Sequence, residues 1–315
     1  MKNPEDMTPH TSLLNENDRT VALVIAYTPI RNGAEILARL TPERQLEIVR
    51  RIAMFQPEDM PKWSESKDCR ERACRVTEDC CPCSLPDYSP RHSIGGIDLA
   101  SKLLERLDRA MWQTILDGIS QGGQELAGCI RQRMWLFDDI ARLHDLDVTA
   151  TLRNVEHSQW AIALQGTSDE LREKICKNIS KRAAKMLQEE IEYQSPCEQS
   201  RIESVRREIV YIMRLLEDAG ELCKPKSDIS RPTGSNETGK KILLAIAEKI
   251  GKERFEENAG NDTICRSDDY IVVFTVRYSF YADRIREEFS QDIDEAILAV
   301  LGTKKPYYFH EFSYY

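Results

Sequence analysis

The densest cluster of chemically capable side chains is CRERACRVTEDCCPCS, which puts Cys69, Cys74, Cys80, Cys81 and Cys83 within fifteen positions. Four thiolates in a tetrahedral arrangement can hold a zinc ion. The spacing here is irregular, so reduced loop thiols stand beside structural zinc as a reading, and no metal or cofactor is assigned. Cys129, Cys176, Cys197, Cys223 and Cys265 are scattered singly, and His10, His92, His144, His157 and His310 have no ligand spacing. No nucleophile–base pairing and no glycine-rich phosphate loop is apparent, so the chain is read as a protein without enzymatic activity. A second stretch, GTSDELREKICKNISKRAAKMLQEE from Gly166 to Glu190, offers charge instead. Arg182 and Glu189 lie seven apart, two turns along one helix face, with Glu190 beside Glu189. Such a face attracts partner charges of both signs at about 0.2–1 kcal/mol per exposed pair. Contacts that weak can form and release repeatedly. The plainer reading is a solvated helix face.

These side chains need helices to position them. Arg19–Thr28, Asn32–Arg39 and Pro42–Ala53 have apolar residues at helical spacing, with Thr41 placed to cap and Pro42 at the first helical position. Helices resume at Ile97–Leu107, Met111–Ile119 and Gln124–Arg133, and then at Val148–Asn154, Ser158–Leu164, Ser168–Cys176, Lys181–Tyr193 and Glu198–Ala219. Ser180 can cap the charged helix, with Ile179, Ala183, Met186 and Leu187 as its buried side. Short helices joined by short turns suggest units that bury their faces on one another. Lys224–Gly239 is rich in Pro, Ser, Gly and Thr and reads as a linker. Beyond it come a helix over Lys240–Asn258, two strands around Ser267–Asp269, a helix over Tyr281–Leu301 and a short strand in KPYYFHEF. That α-β-β-α-β order makes a small α+β domain, with Ile285, Phe289, Ile293 and Ile297 expected to pack on Ile271, Val273 and Thr275 or their strand neighbours.

The 315 residues allow two or three domains, and the net charge of −9 argues against a general nucleic-acid binder. No apolar run reaches the ~20 residues of a membrane span. The N-terminus has no apolar signal core, which points to a cytoplasmic chain with mostly reduced cysteines.

Four landmarks, in order, resemble the middle and C-terminal domains of the flagellar motor switch family FliG. LLNENDRTVALVIAYTP keeps Asn15, Glu16 and Thr20 of the family's entry motif. GGIDLASKLLERLD resembles the segment that opens on paired glycines. MWLFDDI is similar to a Met-x-x-Phe hinge, and LREK with SKRAAKML to the torque helix and the helix before it. The resemblance covers about Leu13–Leu222 apart from the Cys-rich segment, and only about a dozen residues precede it where the family has an N-terminal domain.

The resemblance implies a mainly α fold: an armadillo-like right-handed helical stack plus a C-terminal helical bundle, followed by the small α+β domain. The divisions are 1–56 (middle-like unit), 57–93 (Cys-rich insertion), 94–137 (armadillo-like unit ending in the hinge), 138–223 (bundle with the charged ridge), 224–239 (linker) and 240–315 (interaction domain). It further implies a stator-facing ridge of Arg182, Glu189 and Glu190, and a hinge at Met134 and Phe137. A patch for a FliM-like partner would comprise Glu16, Asn17, Asp18, Arg19, Gly95 and Gly96. Without the family, Glu16–Arg19 is a polar lead-in to a helix, Gly95-Gly96 a turn, and Met134–Phe137 core packing.

Some positions depart from the family. Asn17-Asp18-Arg19 stands where it has His-Pro-Gln, Gln165 where it has Lys, and Glu198 where it has Arg. Asp268–Gly302 more faintly resembles the N-terminal domain of the replication initiator DnaA, through Ile285, Phe289 and Ile293; that family uses the domain for protein contacts. The function implied is a rotor switch scaffold that binds a FliM-like protein and the cytoplasmic loop of the stator, and self-associates through its helical repeats. It would sit at the cytoplasmic face of the membrane through the flagellar basal body. The alternative is a repurposed adaptor that recruits another protein through its last domain.

Overall fold

The computed structural model describes residues 16–55, 96–193, 197–223, 234–260 and 262–311. The Cys-rich run, Gly95 and most of the expected linker lie outside the described residues. In chain order, α1 is Asp18–Tyr27, α2 Ile30–Ala38, α3 Pro42–Ala53, α4 Gly96–Leu104, α5 Arg109–Gly122 and α6 Gln124–Arg133. A 3-10 turn over Phe137–Arg142 leads to α7 (Asp145–Arg153), α8 (His157–Ala163), α9 (Asp169–Lys177), α10 (Lys181–Tyr193) and α11 (Gln199–Asp218). The remainder is α12 (Glu237–Ile250), α13 (Lys252–Ala259), β1 (Ile264–Ser267), β2 (Val272–Val276), α14 (Ser279–Leu301) and β3 (Tyr307–Glu311). The protein is thus mainly helical, with a small three-stranded sheet near its C-terminus.

Two compact units result. One holds the described residues up to Ser101, Gln113–Arg133 and the C-terminal α+β region; the other holds Lys102–Trp112 and residues from Met134 to Ser227. In the first, α1 packs on α2 and α3. Gly96 opens α4 with its amide on the Phe55 carbonyl at 3.1 Å. A Cβ there would sit 2.1 Å from the Ile52 carbonyl oxygen. The turn expected of this glycine is therefore not its role: it starts a helix, and it is small because α3's last turn presses against it.

The sheet has the order β1-β2-β3, with β1 antiparallel and β3 parallel to the central β2. Side chains paired across a register point the same way. The row Cys265–Phe274–Phe309 faces Ile242 and Ile246 of α12 and Ile285, Ile293 and Ile297 of α14 in one buried cluster, with Val272 and Val276 beside it. The α14 isoleucines thus pack on the strand neighbours of Ile271, Val273 and Thr275, and those three point to the opposite face. The expected helix over Lys240–Asn258 is two helices, because Gly251 adopts φ +89 between α12 and α13. The first begins inside the expected linker, where the Asn236 side chain accepts from the Gly239 amide at 2.8 Å.

The second unit has its own core, built around Trp135, Trp160, Ile175, Leu187, Ile209 and Met213. Among the described residues, no helix is long and apolar enough to cross a membrane.

Candidate functional site

The charged ridge is α10. Ser180 caps it, its Oγ accepting from the Ala183 amide at 3.2 Å. Leu187 is the fully buried residue of the helix and Ile191 packs partly against the same core, which seats α10 on α8 and α9. Met186, expected on the buried side, is 53% exposed. The outer face is a stripe at helical spacing: Arg182, Met186, Glu189 and Tyr193. Arg182 is exposed and Tyr193 is 87% exposed. The two acids are steadied by neighbours that sequence reading passed over. Glu189 lies 3.6 Å from Lys185 Nζ, and Glu190 Oε2 is 3.1 Å from Nδ1 of His157 at the start of α8. The structure therefore brings Arg182 and Glu189 onto one solvent face, with Glu190 turned toward α8. Two exposed apolar side chains interleave with the charges.

The two departing positions, Gln165 and Glu198, meet near this bundle. Gln165 Oε1 accepts from the Cys197 amide at 3.0 Å, and Glu198 stands at the N-cap of α11. At the start of α7, Asp145 takes hydrogen bonds from Lys174 Nζ at 2.8 Å and Asn178 Nδ2 at 3.3 Å. These bonds hold its carboxyl down at about 2.

Met134 and Phe137 are buried. The chain between them is pinned by charges that no local motif announces. The Trp135 amide donates to Glu105 Oε1 at 2.7 Å, and its indole N–H to Glu217 Oε2 at 2.7 Å. Arg214, itself buried, bonds both Glu105 and Glu217. Phe137 packs 6.2 Å from the Trp160 ring, and the Arg206 guanidinium lies 5.2 Å over its face. A cavity of about 120 Å³ opens here, lined by Trp112, Trp135, Phe137, Arg206 and Arg207 among others.

At the start of α1, Asn17 Oδ1 accepts from the Thr20 amide at 2.9 Å, which makes Asn17 the N-cap. Asp18 pairs with Arg44 of α3 at 2.8 Å, and Arg44 also donates to the Glu16 carbonyl at 2.6 Å. Arg19 is exposed. Three members of the expected patch, Glu16, Asn17 and Asp18, thus hold α1 in place, and Gly96 is buried beneath α3. No group of His, Cys, Asp and Glu that could hold a metal occurs among the described residues.

Residues 11–59 match the FliG middle domain, and residues 104–223 match the FliG C-terminal domain. The chain carries two domains of the FliG family. Over 212 residues it is 36% identical to the flagellar motor switch protein FliG of Thermotoga maritima, covering 67% of this chain and 60% of that one. Over 208 residues it is 31% identical to the FliG of Bacillus subtilis, covering 66% and 59%. It therefore spans less than two thirds of these relatives. A solved FliG fragment from H. pylori, residues 86–343, aligns with 69% of this chain at 25% identity and a TM-score of 0.35. The ridge, the hinge and Gln165 all fall within the FliG C-terminal match, and Glu16–Arg19 within the FliG middle match.

Proposed function

We propose that the chain is a non-enzymatic component of a flagellar rotor switch complex. In it, Arg182, Glu189 and Glu190 meet the cytoplasmic loop of a stator, and the start of α1 meets a FliM-like partner. The observation that carries this reading is the outer face of α10, a mixed-charge stripe in the region that matches the FliG C-terminal domain. Exposed charges in water exchange partners at little cost. Met186 and Tyr193 add apolar contact area between them, so the stripe can grip briefly without locking. Met134–Phe137, held by the buried Glu105–Arg214 pair, supplies the pivot, and the helical repeats supply self-association.

A specific observation favours a second reading, in which the chain is a repurposed adaptor. Asn17 and Asp18 are engaged in capping and pairing within the chain, and a C-terminal α+β domain lies outside both FliG matches. Localisation separates the two. A fluorescent fusion of the full chain in its own cells should form spots at flagellar bases that vanish when the FliM-like protein is deleted. A diffuse signal indifferent to that deletion would support the adaptor.

A further inference from the structure

The outer face of the small sheet is not turned to solvent. The register row Arg266–Val273–Tyr308 crosses all three strands. Both ends of that row reach α6: Arg266 Nε bonds Glu125 Oε1 at 2.5 Å, and the Arg133 guanidinium donates to the Tyr308 hydroxyl at 2.8 Å. Glu125, Cys129 and Arg133 follow one another at four-residue spacing, so they form one face of α6. Cys129 therefore lies opposite the middle of the row, where Val273 is 5% exposed. Burial, with Glu125 and Asp268 nearby, pushes the Cys129 thiol up to about 12.

The fit is specific at the corner between α5 and α6. The first amides of a helix lack partners within it and are usually served by a side chain at the N-cap. Here the N-cap is Gly123, whose carbonyl accepts from the Ala127 amide and which has no side chain to offer. The cap comes from Asp268, far along the chain: its Oδ2 accepts from the Leu126 amide at 2.9 Å, while its Oδ1 accepts from the Tyr270 and Ile271 amides. The Tyr270 ring occupies the space that side chains at Gly122 and Gly123 would need. A Cβ would lie 2.4 Å from its hydroxyl oxygen at the first and 2.3 Å from its Cδ2 at the second. The same ring lies under the Arg50 guanidinium of α3 at 4.9 Å. One domain thus touches both α3 and α6.

We infer that the C-terminal α+β domain is a clasp that closes in cis on the α5–α6 corner and can open from it as a folded unit. It caps α6 from outside, braces α3 against α6, and can leave without unfolding because its own core lies on the other face of the sheet. This inference is independent of the role proposed for α10.

Two cysteines report the two events separately in the full chain. Cys129 lies under the clasp, and Cys265 lies in the core of the α+β domain. Alkylation with N-ethylmaleimide, followed by peptide mass spectrometry, reads both. In the parent chain both should be slow. Gly123→Asp gives α6 a local cap but collides with Tyr270, and Arg266→Glu repels Glu125. Each should speed labelling of Cys129 by about tenfold or more, as expected of local opening, and leave Cys265 slow. Adding Glu125→Arg to Arg266→Glu should return Cys129 toward the parent rate. Unchanged Cys129 labelling in both single variants would overturn the clasp. So would Cys129 and Cys265 becoming reactive together, since the domain would then be unfolding, not opening.

Discussion

Arg182 and Glu189 share the outer face of α10, while Gln165 and Glu198 lie close together where α11 begins. Lysine and arginine at those last two positions would make this side of the bundle less acidic. Gln165→Lys with Glu198→Arg should therefore raise rotation speed or reduce its sensitivity to salt, because exposed charge contacts weaken as ions screen them. An unchanged salt dependence would point to the adaptor. Asp145 tests the electrostatics independently of any partner. Its carboxyl is held below the ordinary 3.8, at about 2, first by hydrogen bonds from Lys174 and Asn178. A depressed carboxylate contributes stability that is fully present above its unfolded value and is lost as pH falls through its folded one. A carbon-detected NMR titration should place the Asp145 midpoint near 2, and Lys174→Met should move it up. A midpoint at the ordinary value in the parent would remove the Lys174 and Asn178 bonds from the account.

Among the elements, α14 carries the clearest stability prediction. Phe289 is 3% exposed at the point where the helix kinks. Phe289→Ala should cost about 3–5 kcal/mol, a large share of what a small domain has. Hydrogen exchange of the β2 amides in rising denaturant should show it as a transition at lower concentration; an unmoved transition would mean that Phe289 is not a core residue. The elements also show what sequence could reveal. Pro42 and Lys181 each begin a helix as expected, since proline in a first turn and the Ser180 cap act locally; Thr41, expected to cap α3, makes no side-chain bond to it. The parity of β2 was hidden because Ile271–Val276 is apolar or Thr throughout: a strand buried on both faces shows no alternation. Met134 and Phe137 could be read from the sequence as core packing, and both are buried, but the bonds that hold the chain between them could not, because Glu105 and Arg214 stand 109 residues apart. The Asp268 cap was invisible for the same reason. The charges of α10 could be placed on one face from their spacing, yet the exposure of Met186 depended on how α10 rolls onto α8 and α9, which periodicity fixes only to within a residue or so.

For the whole molecule, two domains that match the FliG family and a mixed-charge helix face underlie the proposal that α10 transmits force through charge. The most direct measurement is the rotation speed of tethered cells whose motors depend on this chain, with Arg182→Glu as the variant. Because Arg182 is exposed, the variant should melt within about 0.5 kcal/mol of the parent, as surface substitutions do. The account predicts a slowed or stalled motor with an unchanged melt, and recovery of speed when a facing acidic residue in the stator loop is reversed to lysine. Parental speed from the Arg182→Glu motor would contradict it.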